Sequence, residues 1–240
     1  MSLTAKLLLT PLLVAQALHT RARLPRLPEP EGARQGAVGR GPVLSVLIAG
    51  DSSAVGVGVV HQRDALAAQF AAALAARCGA RVQWRLAARS GLTSAQTLQL
   101  LQRETLPPID LALVVSGVND VVDQVPSHRA VAAREALANW LRNGLGALHV
   151  VFAPLPPVHR FPLLPQPLRR VMGDDARRHD DALAAWAAAR AGVSHLAIAF
   201  DLSPAAMASD GFHPGAPVYR VCGETIAAHI ADFVSKETSP

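Results

Sequence analysis

Leu111-Ala-Leu-Val-Val115 has no polar position in it. A strand with one wet face alternates apolar and polar residues. A short branched run that is apolar throughout therefore points to a strand covered on both sides, as inside a parallel sheet. Four further runs rich in apolar residues accompany it, giving candidate strands at Val43–Ala49, Arg81–Ala87, Asp110–Ser116, Leu148–Ala153 and Ser194–Ala199. Helical stretches separate and follow them at Asp64–Cys78, Ser94–Glu104, Ser127–Asn143, Asp174–Ala191 and Pro217–Ser235. Asp64 is a candidate cap for the first of these, and Gly79 is placed to end it. Alternating βα units of this length imply an open, five-stranded parallel sheet between helical layers. Right-handed crossovers bring the turns after the strands to one edge, where ligands bind in such folds.

Two domains of unequal kind are expected: an N-terminal apolar and basic segment with a linker (1–42), and a folded body (43–240). Residues 1–42 carry six cations against Glu29 and Glu31, while the remaining 198 residues carry 17 basic and 16 acidic side chains. A nearly neutral body with 4% aromatic residues argues against nucleic acid as a partner. The run Leu7–Leu18 is shorter than the ~20 residues that span a bilayer. Three readings stay open for residues 3–24: a signal peptide, with Ala15-Gln16-Ala17 as a cleavage-like site; a helix on a membrane surface, with Arg21, Arg23 and Arg26 meeting anionic head groups; or a helix packed on the body. The first two lean towards a membrane-associated or cell-envelope location, and the third leaves a cytoplasmic one open. Four prolines and four glycines between residues 25 and 42 read as an extended linker. Cys78 and Cys222 have no metal-ligand spacing, the histidines form no ligand cluster, and no metal site is expected.

The first strand ends abruptly in Gly50-Asp51-Ser52-Ser53, a small-residue turn with a serine at its tip. Three other stretches complement it: Ser90-Gly91-Leu92-Thr93-Ser94, Gly117-Val118-Asn119-Asp120 and Asp210-Gly211-Phe212-His213-Pro214. A serine hydroxyl attacks only when a base takes its proton, and imidazole titrates near neutral pH. His213 is the candidate base and Asp210 the partner that fixes its tautomer. Pro214 biases His213 away from helix, and Gly211 lets the chain bend. Asn119 offers a side-chain amide, and Gly91 and Ser52 offer backbone N–H groups, to an oxyanion. The glycines at 50, 56 and 58 do not form a phosphate-binding G-x-G-x-x-G.

These four stretches, in this order, resemble the blocks of the SGNH hydrolases within the GDSL esterase/lipase superfamily. The resemblance makes Ser52 the nucleophile, Gly91 and Asn119 the residues of the second and third blocks, and Asp210 and His213 the acid and base. Ser53 stands where the family name has leucine. The resemblance implies a three-layer, flavodoxin-like α/β/α fold. It also implies an enzyme that hydrolyses carboxylic esters, short- to medium-chain or lipid-like, through an acyl-enzyme without metal or cofactor. Carbohydrate O-deacetylation and acyl transfer are alternatives on the same residues. The segment 154–173, with six of the 18 prolines, follows the fourth strand and is expected to wall a hydrophobic pocket through Leu163 and Leu164.

Overall fold

The computed structural model describes residues 3–237, and side chains from residue 8 to residue 234. The outer ends of the two expected domains, and the side chains of Lys6 and Leu7, lie outside the described residues. In chain order the elements are α1 (Leu3–Arg23), β1 (Gln35–Val38), β2 (Val43–Gly50), α2 (Ser52–Val55), α3 (Leu66–Cys78), β3 (Arg81–Ala88), α4 (Ser94–Leu101), β4 (Leu111–Val115), α5 (Val118–Val122), α6 (Ser127–Leu145), β5 (His149–Phe152), α7 (Leu168–Ala188), β6 (Val193–His195) and α8 (Ala216–Glu237).

The sheet has the order β1-β3-β2-β4-β5-β6. All neighbours are parallel except β1, which runs antiparallel along β3 with Gln35 opposite Arg85 and Val38 opposite Val82. The five expected strands are therefore present, and a sixth comes from within the segment expected as a linker. Its pairing is backbone chemistry at an edge, and Gln-Gly-Ala-Val has no side-chain pattern that announces it. The strand expected at Ser194–Ala199 is shorter: after His195 the chain leaves the sheet, and Ile198 turns towards a pocket.

Alternation along β2 and β4 divides the core between two faces. Val46, Ile48 and Leu113 meet Phe70 and Leu74 of α3 and Ile226 and Ile230 of α8. Leu47, Ala112 and Val114 meet Leu101 of α4, Leu137 and Leu141 of α6 and Leu183 of α7. This is the expected three-layer α/β/α arrangement, and it accounts for the unbroken apolar character of β4. Burying a leucine on either face contributes ~1.5–3 kcal/mol.

Asp64 does not cap α3. It lies in a 3-10 turn (Gln62–Asp64), and Ala65 occupies the cap position without a side-chain bond. Gly79 ends α3 in the left-handed conformation, as expected. The segment 154–173 is less loop-like than its prolines suggest: Val158–Arg160 forms a 3-10 turn and α7 begins at Leu168. Proline is tolerated where a helix begins, because the N–H it lacks has no partner there.

Candidate active site

The chain crosses from β2 to β3 on one side and then from β3 back past β2 to β4 on the other, so the winding reverses between β2 and β4. A crevice at the carboxyl ends of β2 and β4 follows from that reversal. Gly50 makes the turn out of β2 at φ 148°, and a Cβ there would run into the Val115 carbonyl of β4. Glycine thus lets the two strand ends close up. Asp51 then bonds backward through its N–H to Val115 O (3.0 Å) and caps α2 by accepting from Ser53 N (3.0 Å). The next residue at the tip is Ser52.

Asp210 and His213 arrive from the loop before α8. Asp210 Oδ1 accepts from the N–H groups of Phe212 and His213 (both 2.9 Å), which folds the loop back on itself. Its other oxygen, Oδ2, lies 2.6 Å from His213 Nδ1, and His213 Nε2 lies 3.1 Å from Ser52 Oγ. Burial pulls the Asp210 carboxyl upward, but the bonds from His213 and from the two backbone N–H groups outweigh it and hold it below the ordinary value. An ionised Asp210 accepts the Nδ1 proton of His213, leaving the Nε2 lone pair facing the Ser52 hydroxyl. The three residues separated by up to 161 positions in the chain therefore form one hydrogen-bonded line.

Asn119, in α5, borders the same pocket. Its Nδ2 donates to Leu92 O (3.0 Å) and leans towards Asp51 Oδ2 at 3.4 Å, leaving one N–H weakly engaged. Gly91 precedes Leu92 in an exposed turn at φ 84° and is not among the residues lining the pocket. The bond from Asn119 to Leu92 O ties the two turns together. Ser53 also borders the pocket, but His213 addresses Ser52.

Under these turns lies a buried polar network that the sequence reading missed. Asp120 accepts from Ser94 N (3.0 Å) and Ser94 Oγ (2.8 Å), and Ser94 Oγ lies 3.2 Å from Ser116 Oγ. The fully buried Arg134 of α6 donates to Ser116 O (3.2 Å) and stands 3.9 Å from Asp120 Oδ2. A Cβ on Gly117, at φ 138°, would collide with that guanidinium. The clue was available: Arg134 interrupts the buried face Ala130, Leu137, Ala138 and Leu141 of α6 at helical spacing. Desolvation pushes Asp51 up to about 7, with repulsion from Asp120 adding to it and the Ser53 bond and Arg134 opposing it.

From Ser52 and His213 a cavity of about 80 Å³ opens between apolar walls. Leu155 and Phe161 stand on one side, with Ile198, Leu202, Met207 and Ile226 among the others. Segment 154–173 therefore does line the pocket, but not through the residues expected. Leu164 is buried behind that wall, in the cluster that Leu155 and Phe161 form with Val158, Leu168 and Met172, and Leu163 is half-buried away from the cavity. The turn at Val158–Arg160 reverses the segment so that Phe161 takes the inward position. Among the described residues no group of three or more His, Cys, Asp or Glu side chains is arranged to hold a metal ion.

A mostly parallel α/β sheet with a Ser–His–Asp line at its switch point is the arrangement that hydrolysis of the serine type calls for. The chain belongs to the GDSL-like Lipase/Acylhydrolase family, whose model matches residues 48–221, and it is a carboxylic ester hydrolase. It is similar to the GDSL-like esterase Rv1075c of Mycobacterium tuberculosis, with 28% identity over 94% of this chain and 78% of that one. Among solved structures, the lipase Lip_vut3 from a goat rumen metagenome superposes with a TM-score of 0.62 at 16% identity, over 78% of this chain and 97% of the lipase. A family two carbohydrate esterase from Clostridium thermocellum, solved with cellohexaose, superposes at 0.60 with 14% identity, over 82% of this chain and 66% of that one. At these identities the two structures speak for the fold.

Proposed function

We propose that the chain hydrolyses short- to medium-chain acyl esters through an acyl-enzyme on Ser52. His213 Nε2 takes the Ser52 proton as Oγ attacks the ester carbonyl, and Asp210 stabilises the imidazolium that forms. The Ser52 N–H group and the Asn119 amide receive the oxyanion; Asn119 turns its weakly held N–H from Asp51 to the substrate. Collapse returns the proton to the departing alcohol. Water, deprotonated by the same histidine, then releases the acid.

The observation that carries this reading is the unbroken line Asp210–His213–Ser52 ending at an apolar cavity. A cavity of about 80 Å³ with apolar walls leaves room for a short apolar chain beside Ser52. Apolar walls suit an acyl chain better than a sugar, which needs rows of hydrogen-bonding groups.

A p-nitrophenyl ester panel graded by acyl length, extended to an acetylated sugar, tests it. Expected is a maximum near butyrate to octanoate, with kcat lowered ~10⁴-fold or more by Ser52→Ala and by His213→Ala. Full turnover by Ser52→Ala, or activity confined to the acetylated sugar, would contradict it.

A further inference from the structure

Helix α1 has two faces, and the body of the protein uses one. Leu9, Leu13, Gln16 and Thr20, four, three and four positions apart, are half-buried. At about 3.6 residues per turn they share one side. Leu13 packs onto the cluster around Phe161 and Leu168, and Gln16 donates to Gln166 O (2.7 Å) while accepting from Leu168 N (3.1 Å). The opposite side carries Leu8, Pro11, Ala15, Leu18 and Ala22, three or four positions apart and all exposed, with Val14 beside them. Leu8 is 83% exposed, Leu18 64% and Val14 52%. A helix resting on a protein in water turns its polar residues outward. This one turns out leucine, proline, valine and alanine.

The charges that α1 and the residues just after it carry have one sign. Arg21, Arg23 and Arg26 are exposed at and beyond the end of α1, and no acidic residue precedes Glu29. We propose that the outward face of α1 lies on an anionic lipid surface, its leucines entering the acyl boundary and its arginines meeting head-group phosphates. A second copy of the chain supplies no counter-charge, because two such helices would bring cations together without an acidic residue between them. An anionic lipid surface supplies both the apolar depth and the negative charge. Among the described residues no helix is long and apolar enough to cross a membrane.

The contact reaches the site through one layer of packing. Leu13 and Phe212 pack on the same cluster, which includes Phe161; the Phe161 and Phe212 rings are 5.3 Å apart, and Phe212 is 5.2 Å from the His213 ring. Given the ester hydrolysis proposed above, docking holds the acyl pocket where lipid-like esters concentrate. The docking itself does not depend on that reading.

Co-sedimentation of the full chain with phosphatidylcholine vesicles, with and without phosphatidylglycerol, tests the proposal alongside turnover of a water-soluble ester. Binding is expected on the anionic vesicles, about tenfold or more weaker on the neutral ones, and lower in high salt. Leu8→Asp with Leu18→Asp should abolish it, and Arg21→Gln with Arg23→Gln should weaken it about 30-fold. Both variants should turn over the soluble ester like the parent, so failure of docking and failure of the esterase reading are read separately. Equal binding by the leucine variant, or equal binding to both vesicle types, overturns the proposal. So does self-association that the leucine variant loses in a chain that does not bind vesicles, which would assign the face to a second copy.

Discussion

Asp51 is a buried carboxyl whose environment works against its charge. Its oxygens receive the Ser53 N–H and face the Asn119 amide, but desolvation and the nearby Asp120 push it to about 7. The native state therefore holds a proton on Asp51 that the unfolded chain releases above its ordinary value near 3.8. Linkage gives the sign: Asp51's contribution is most favourable below that value, declines as pH rises, and is lost above about 7. About three units of difference correspond to roughly 4 kcal/mol at most. Asp51→Asn keeps an acceptor for Ser53 and removes the titration. Its unfolding free energy relative to the parent should rise by a few kcal/mol between about pH 5 and pH 8, measured by urea unfolding across that range. Parallel profiles for the two proteins would show that Asp51 does not titrate as described.

At the scale of elements, the turns carrying Ser94, Ser116 and Asn119 are held from beneath by α6. Arg134 bonds to Ser116 O and stands against Asp120, yet its Nε and Nη1 have no hydrogen-bond partner. Burial pulls this guanidinium below its ordinary value, with Asp120, Asp180 and Asp51 opposing that shift. A buried pair of this kind is costly to break from one side, because the survivor remains buried and uncompensated. Arg134→Met should therefore cost ~3–5 kcal/mol of stability, and adding Asp120→Asn should recover part of it. Additive losses in the double variant, read from denaturant midpoints, would mean the two side chains do not act as a pair.

For the molecule as a whole, legibility followed how local each signal was. β2, β4 and β5 could be read because each is a short, mainly apolar run ended by small or turn-forming residues, and β3 because polar and apolar residues alternate along its first half. Ser52 and Asn119 stood out because they follow the ends of β2 and β4, and Asp210 and His213 because they share one short loop before α8. The edge strand β1 could not be read: its partner is the backbone of β3, and its four residues carry no pattern. The pocket wall was misread at Leu163 and Leu164 because the direction a proline-stiffened segment faces is set by what it packs on. Here that is α7 and the cluster around Leu168. Of the three readings of residues 3–24, packing on the body describes one side of α1 and a lipid surface suits the other. Neither side excludes the other.

The central claim is that Ser52, addressed by His213, carries the acyl group. Labelling the full chain with an alkylphosphonate ester, followed by mass mapping of the modified peptide and residual turnover, tests it most directly. One phosphonyl group on Ser52 is expected, with activity lost in step with its incorporation and no labelling in His213→Ala on the same time scale. Incorporation on Ser53 or elsewhere, or turnover that survives complete modification of Ser52, would contradict it.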